Sequence, residues 1–153
     1  MAIAAVQGAR AAGATVVFTN GVFDLLHPGH LRYLQRAKAL GDVLIVGVNS
    51  DRSVRPNKGP ARPITPEDER AEILAALAAV DHVVVFDEDT ADRLVSLIRP
   101  HVHAKGTDYT AASVPESAAV SAVGGRVAIV GDPKDHATGD LIALILERFA
   151  RDG

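Results

Sequence analysis

Thr19-Asn20-Gly21-Val22-Phe23-Asp24-Leu25-Leu26-His27-Pro28-Gly29-His30 is the stretch on which the fold turns. The β-branched, apolar run Thr15-Val16-Val17-Phe18 precedes it. Leu31-Arg32-Tyr33-Leu34-Gln35-Arg36-Ala37-Lys38 follows, with apolar positions at helical spacing. The pattern predicts a strand, a tight polar turn and the start of a helix. Backbone N–H groups stand unpaired at a helix start and attract phosphate. Two histidines at that point, with Pro28 and Gly29 between them, suit a nucleotide-phosphate site that brings its own cations.

Strand-like and helix-like segments alternate outward from there. Gly41 reads as the C′ glycine of the first long helix, and the residues before Thr15 as a short Ala-rich lead. Val43-Leu44-Ile45-Val46-Gly47-Val48 is apolar on both faces, as in a central parallel strand, and Asn49-Ser50-Asp51 ends it. Arg52 to Ile64 reads as a polar, basic, proline-containing loop. Thr65 then reads as an N-cap, with Pro66 at N1 and acids in the first turn. Asp81 to Phe86 is a third strand, and Thr90 caps a helix that Pro100 stops.

Val102-His103-Ala104 is a short strand ending at Lys105-Gly106, and a helix from Pro115 to Val123 closes on Gly124-Gly125. Arg126 to Val130 is the last strand. Gly131, Asp132, Pro133 and Lys134 lead through His136 to a final helix, whose Leu141-Ile142-Ala143-Leu144-Ile145-Leu146 reads as core-facing. The expected architecture is a single doubly wound Rossmann-like α/β domain over residues 1–153, with a five-stranded parallel sheet. Ligands in such sheets sit at the carboxyl ends of the strands, here the loops after Thr19, Asn49, Ala104 and Val130.

The chain has 153 residues, enough for a sizeable core, with 48% hydrophobic and 23% charged residues. A net charge of −3 argues against a nucleic-acid binder. The absence of cysteine excludes disulfides and thiolate metal sites and suits the cytoplasm. Met1 to Arg10 lacks the features of a signal peptide, and the apolar run 141–146 is far below the ~20 residues of a membrane span. A soluble protein without membrane or nucleic-acid partners is expected.

His27 and His30 have two readings as bare residues: directional donors to an α-phosphate, or a capping or metal-binding pair. Asp51 is either an acceptor-side residue or the Asx-turn that ends a strand. Lys58 and Arg62 share a Gly- and Pro-containing loop with Arg52 and Arg55 that could close over phosphates. Lys58 and Arg62 read as functional, Arg52 and Arg55 as solvated surface. Arg70 either reaches phosphate or pairs with an acid such as Asp81. Gly106, in Lys105-Gly106-Thr107-Asp108, permits close backbone approach to a ligand. His82, His101, His103 and His136 read as surface or strand-end positions.

The segment Thr19 to His30 resembles the signature of the cytidylyltransferase-like nucleotidyltransferase superfamily, whose hallmark is H-x-G-H. The chain as a whole is most similar to bacterial heptose 1-phosphate adenylyltransferases, the nucleotidyl half of the enzymes that make ADP-heptose for lipopolysaccharide. Asn49-Ser50-Asp51, Lys58-Gly59, Arg62-Pro63, Glu69-Arg70, Ala79-Val80-Asp81, Phe86 to Thr90, Lys105 to Tyr109 and Gly124 to Val127 carry the likeness in order and spacing.

The resemblance implies that a heptose 1-phosphate attacks the α-phosphorus of an NTP, taken as ATP, in line and directly, with Mg²⁺ carried by the nucleotide, to give the NDP-heptose (ADP-heptose) and pyrophosphate. It assigns His27, His30, Lys58 and Lys105 to catalysis. Thr19, Asn20, Gly21, Phe23, Asp24, Gly106, Asp108 and Thr138 would hold the nucleotide, and Asp51, Arg62 and Arg70 the acceptor. It further implies a homodimer and a separate sugar kinase upstream. The alternative activity is a cytidylyltransferase for a small alcohol phosphate such as glycerol 3-phosphate.

One departure stands out. Relatives carry Ser-Thr-Thr at the start of the last helix, to hold the β- and γ-phosphates, whereas this chain has Ala137-Thr138-Gly139 followed by Asp140. Three outcomes follow: a rearranged triphosphate site, a different substrate pair, or a nucleotide-binding relative with weakened catalysis.

Overall fold

The computed structural model describes residues 2–131 and 137–150. β1 (Val16–Gly21) lies between β2 (Val43–Asn49) and β4 (Val102–Lys105), with β3 (His82–Phe86) and β5 (Arg126–Ile129) at the edges. The order β3-β2-β1-β4-β5 is parallel throughout. The expected five-stranded Rossmann-like sheet is therefore present, and β1 is where the winding direction reverses.

Alternation along the strands sorts their side chains into two cores. Val17, Leu44, Val46 and Val102 face α2 (Pro28–Lys38) and α4 (Glu67–Ala75). Val16, Phe18 and Ile45 face α1 (Ala2–Ala11), α5 (Asp92–Ile98) and α6 (Ser117–Ala122). Helices on both faces explain why β2 is buried along its whole middle.

Several local expectations are corrected. The Ala-rich lead is α1, anchored by the fully buried Val6. Gly41 is no left-handed cap: α2 ends at Lys38 with Ala39 as C-cap, and a Cβ on Gly41 would fall 2.8 Å from the Thr15 carbonyl oxygen. Close approach, not a positive φ, requires glycine there. The first part of the Arg52–Ile64 loop is α3 (Asp51–Lys58), capped by Ser50, whose Oγ accepts from Ser53 N at 3.2 Å.

α4 is capped at Pro66, not Thr65: Pro66 is extended and its carbonyl accepts the first helical bond, from Arg70 N, while the Thr65 N–H donates to Asp24. α5 is capped at Ala91, not Thr90, and its N–H donates to Glu116 Oε2 at 3.1 Å. His103 is no surface residue; it is wholly buried in β4. The final helix, α7 (Thr138–Phe149), is not core-facing: none of its residues is buried, and Leu146 and Phe149 are 60% and 74% exposed. The expected role of His136 lies outside the described residues. Among the described residues no helix is long and apolar enough to cross a membrane.

Candidate active site

The β1–β4 ladder is short. Val17 pairs with Val102 and Phe18 with His103, and beyond that point side chains replace the ladder. The Tyr33 hydroxyl donates to the Ala104 carbonyl at 2.8 Å and also contacts the Thr19 hydroxyl. Lys105 Nζ donates to the Asn20 carbonyl at 3.1 Å, and His103 Nε2 lies 2.9 Å from Asn20 Oδ1. At this parting a cavity of about 570 Å³ opens at the carboxyl ends of the strands. That volume suits a small-molecule ligand.

α2 brings both histidines to its wall. His27 is the N-cap, and its Nδ1 accepts from Gly29 N at 3.1 Å. His30 Nδ1 faces His27 N at a longer 3.4 Å, and the two rings stack with centroids 3.9 Å apart. With each Nδ1 used as an acceptor, each neutral ring carries its proton on Nε2. The capping reading and the donor reading are thus compatible: the cap sets the tautomer whose N–H lies on the far side of the ring.

The turn before α2 is held under strain. Phe23 and Leu25 adopt left-handed φ values of 54° and 52°, uncommon for residues with a Cβ. The Phe23 ring lies 5.6 Å from that of His30, and a Cβ on Gly21 would come within 3.0 Å of the Phe23 ring. Glycine at 21 therefore makes room for the ring that backs His30.

Asp24 is the tie that holds this turn. Its carboxylate accepts from Arg62 Nε at 3.1 Å, Ile64 N at 2.8 Å and Thr65 N at 3.0 Å, and its carbonyl accepts from Thr138 Oγ1 at 2.5 Å. Burial alone would raise the pKa of this carboxyl. The two backbone N–H groups and Arg62 outweigh burial and hold it below its ordinary value. Asp24 belongs to the cavity wall, but its carboxylate is spent on protein groups.

Asp51 and Arg70 do not line the cavity. Arg70 is 1% exposed and binds Val22 O at 2.7 Å, Thr65 O at 2.8 Å and Asp51 Oδ1 at 2.7 Å. Its acid partner is Asp51, not the expected Asp81, which instead accepts from Lys38 Nζ at 2.6 Å. Asp51 is the first residue of α3, not the end of an Asx-turn. Thr19 is also off the cavity, fully buried against Tyr33.

The remaining candidates do converge on it. Asn20, Gly21, Phe23, Gly106, Asp108 and Thr138 line the cavity, as do Lys58, Arg62 and Lys105. Lys58 stands exposed at the end of α3, so it sits on a helix and not on a loose loop. Arg52 turns to Asp87 at 3.2 Å on the surface, in keeping with its expected solvated role. Lys105 is buried, 5.0 Å from the Tyr109 ring centroid. Burial lowers its pKa, against the opposing charges of Glu116 and Asp108.

Several cavity residues were not site candidates from the sequence, Tyr33 and Glu116 among them. Tyr33 lies one helical turn beyond His30, so its spacing on α2 was a usable signal. Glu116 is 2% exposed, with one oxygen on Ala91 N and the other without a partner among the described residues. No periodicity points to it, because it precedes a helix of only six residues. Among the described residues no group of three or more His, Cys, Asp or Glu is placed to hold a metal ion.

The family model described as cytidylyltransferase-like matches residues 18–141. The bifunctional protein HldE of Syntrophotalea carbinolica is 51% identical over 140 residues, covering 92% of this chain and 29% of that protein. Its counterpart in Pelobacter propionicus is 48% identical over 145 residues, covering 95% and 30%. The chain thus spans about three tenths of the length of these curated relatives. The crystal structure of the lipopolysaccharide core biosynthesis protein from Thermoplasma volcanium GSS1 superposes with a TM-score of 0.66 at 32% identity. That superposition covers 77% of this chain and 95% of the other. Matched by the family model over most of its length, the chain belongs to the cytidylyltransferase-like family and is a nucleotidyltransferase.

Proposed function

We propose that this nucleotidyltransferase joins ATP to a heptose 1-phosphate, giving ADP-heptose and pyrophosphate. The observation that carries the transfer is the pair of capped histidines whose tautomers put N–H donors on the cavity wall at a helix N-terminus. The choice of ATP and heptose rests on similarity to the bifunctional HldE proteins and to a lipopolysaccharide core biosynthesis protein.

A phosphate oxygen of the sugar 1-phosphate is already an anion, so it attacks the α-phosphorus without a general base. The bond from the α-phosphorus to its bridging oxygen breaks as the new one forms, and pyrophosphate leaves with the electron pair. Negative charge grows on the α-phosphate oxygens, where His27 and His30 donate and Lys105 and Lys58 supply positive charge. Arg62, fixed by Asp24, adds a third cation at the wall. Mg²⁺ would come with the nucleotide and offset the charge of its triphosphate, since among the described residues no group of three or more His, Cys, Asp or Glu is placed to hold the ion. The nucleoside rests near Gly106 and Asp108, whose carboxylate accepts from ribose hydroxyls.

Asp51 and Arg70 serve the acceptor side indirectly, by bracing α3 and the Val22 turn. A homodimer, a sugar kinase upstream to make the sugar 1-phosphate, and a cytoplasmic setting complete the proposal.

Pyrophosphate release tests it, with ATP, CTP, GTP and UTP each offered heptose 1-phosphate, other sugar phosphates and glycerol 3-phosphate. Turnover with ATP and heptose 1-phosphate is expected. Turnover only with CTP and glycerol 3-phosphate selects the cytidylyltransferase alternative. Silence across the panel with MgATP still bound by calorimetry selects a binding protein, the reading that Ala137 and Gly139 favour.

A further inference from the structure

His103 is wholly buried in β4, its ring centroid 5.2 Å from that of Phe18. Among the described residues its Nδ1 has no partner, while Nε2 lies 2.9 Å from Asn20 Oδ1. Orphaned buried N–H donors are rarer than under-used acceptors, so Nδ1 is bare and Nε2 carries the proton. Burial and the positive charge of Lys105 push the imidazole pKa down to about 3, which keeps the ring neutral at working pH. Once Asn20 Oδ1 accepts from this ring, the amide nitrogen occupies the other side. Asn20 lines the cavity, and among the described residues its Nδ2 has no protein partner. Lys105 meanwhile holds the carbonyl of the same residue. Backbone and side chain of Asn20 are both tied across the parting of β1 and β4.

We propose that His103 is a positioning residue: its Nε2–H locks the Asn20 amide so that the NH₂ group donates to a substrate oxygen, on a phosphate or a sugar hydroxyl. The choice of substrates for the kinetic test rests on the transfer proposed above; the geometry of the lock does not.

Steady-state kinetics of H103L, H103Q and N20D separate positioning from support. H103L frees the amide to turn, and KM for ATP or for heptose 1-phosphate rises about tenfold, the size of one charge-assisted hydrogen bond. H103Q can donate from nearly the same point and restores most of the loss. N20D replaces the NH₂ with a second oxygen and does at least as much damage as H103L. A rise in KM for ATP puts the oxygen on the nucleotide; a rise for heptose 1-phosphate puts it on the acceptor. Unchanged kinetics in H103L with only a lower Tm, or a loss that H103Q does not recover, overturns the proposal. Should H103L fail to fold, N20D with both KM values unchanged overturns it equally.

A second measurement needs no turnover. Long-range ¹H–¹⁵N NMR of the ligand-free wild-type protein is expected to show an Nε2-protonated His103 that does not titrate between about pH 5 and about pH 8. An Nδ1-protonated ring, or a titration in that window, overturns the lock. Wild-type protein that releases no pyrophosphate with any substrate pair defeats the proposed transfer, and the NMR result still judges His103.

Discussion

His27 serves the fold and the chemistry through opposite sides of one ring, so the two roles can be separated. Asparagine at 27 keeps a capping acceptor for the Gly29 N–H but lacks the distal donor. H27N is expected to melt close to wild type while kcat for pyrophosphate release falls by about 10²–10³, the usual cost of one preorganised donor. H27A loses the cap as well, at about 1 kcal/mol of stability. If H27N keeps wild-type kcat, the donor role is wrong. Asp24 makes a different prediction, on the pH axis. Its folded pKa lies below the ordinary 3.8, so its contribution to stability is complete above that value and drains away as pH falls through the folded pKa. D24N removes the titration. The stability gap between wild type and D24N, from urea melts, should therefore narrow from about pH 5 to about pH 3. A gap that widens on acidification contradicts the tie to Arg62, Ile64 and Thr65.

Helices were legible in the sequence where apolar spacing was long and obscured where short-range punctuation dominated. α2 and β2 follow directly from their patterns, and the doubly wound parallel sheet follows from the βα alternation. α3 was hidden because Pro56, Gly59, Pro60 and Pro63 all signal a loop, whereas Ser50 and the buried Val54 make one short helix before Gly59. α7 was misjudged for the opposite reason: its apolar run is strong, yet Leu146 and Phe149 face outward. Asp51 and Arg70 show a further limit, since the spacing could name both partners but not that they would meet each other. The start of α7 carries the next prediction. The Thr138 hydroxyl donates to the Asp24 carbonyl, and a Cβ on Gly139 would meet open space. A137S with G139T should thus fit and lower KM for ATP severalfold, each hydroxyl adding a hydrogen bond to phosphate. An unchanged or raised KM shows that the triphosphate rests elsewhere.

The strands form two groups, β3-β2-β1 and β4-β5, joined by two ladder pairs, by hydrogen bonds between Val16 and His101 before them, and by Tyr33, His103 and Lys105 beyond them. This division was legible only in outline. The βα alternation implies a doubly wound sheet but neither its strand order nor how soon the β1–β4 ladder stops, since that depends on three side chains from two distant segments. Asn20 and His30 line the cavity on one bank and Gly106 on the other, so a nucleotide bound as proposed would act as a rivet across the seam. Saturating MgATP should then slow amide hydrogen exchange in β4 and β5 more than in β2 and β3, whose ladders are already continuous. Uniform slowing across all five strands would mean that the nucleotide stabilises the fold globally and spans nothing. Slowing confined to β4 and β5 would make the substrate a structural member, stitching two halves of the sheet that the short β1–β4 ladder leaves loosely joined.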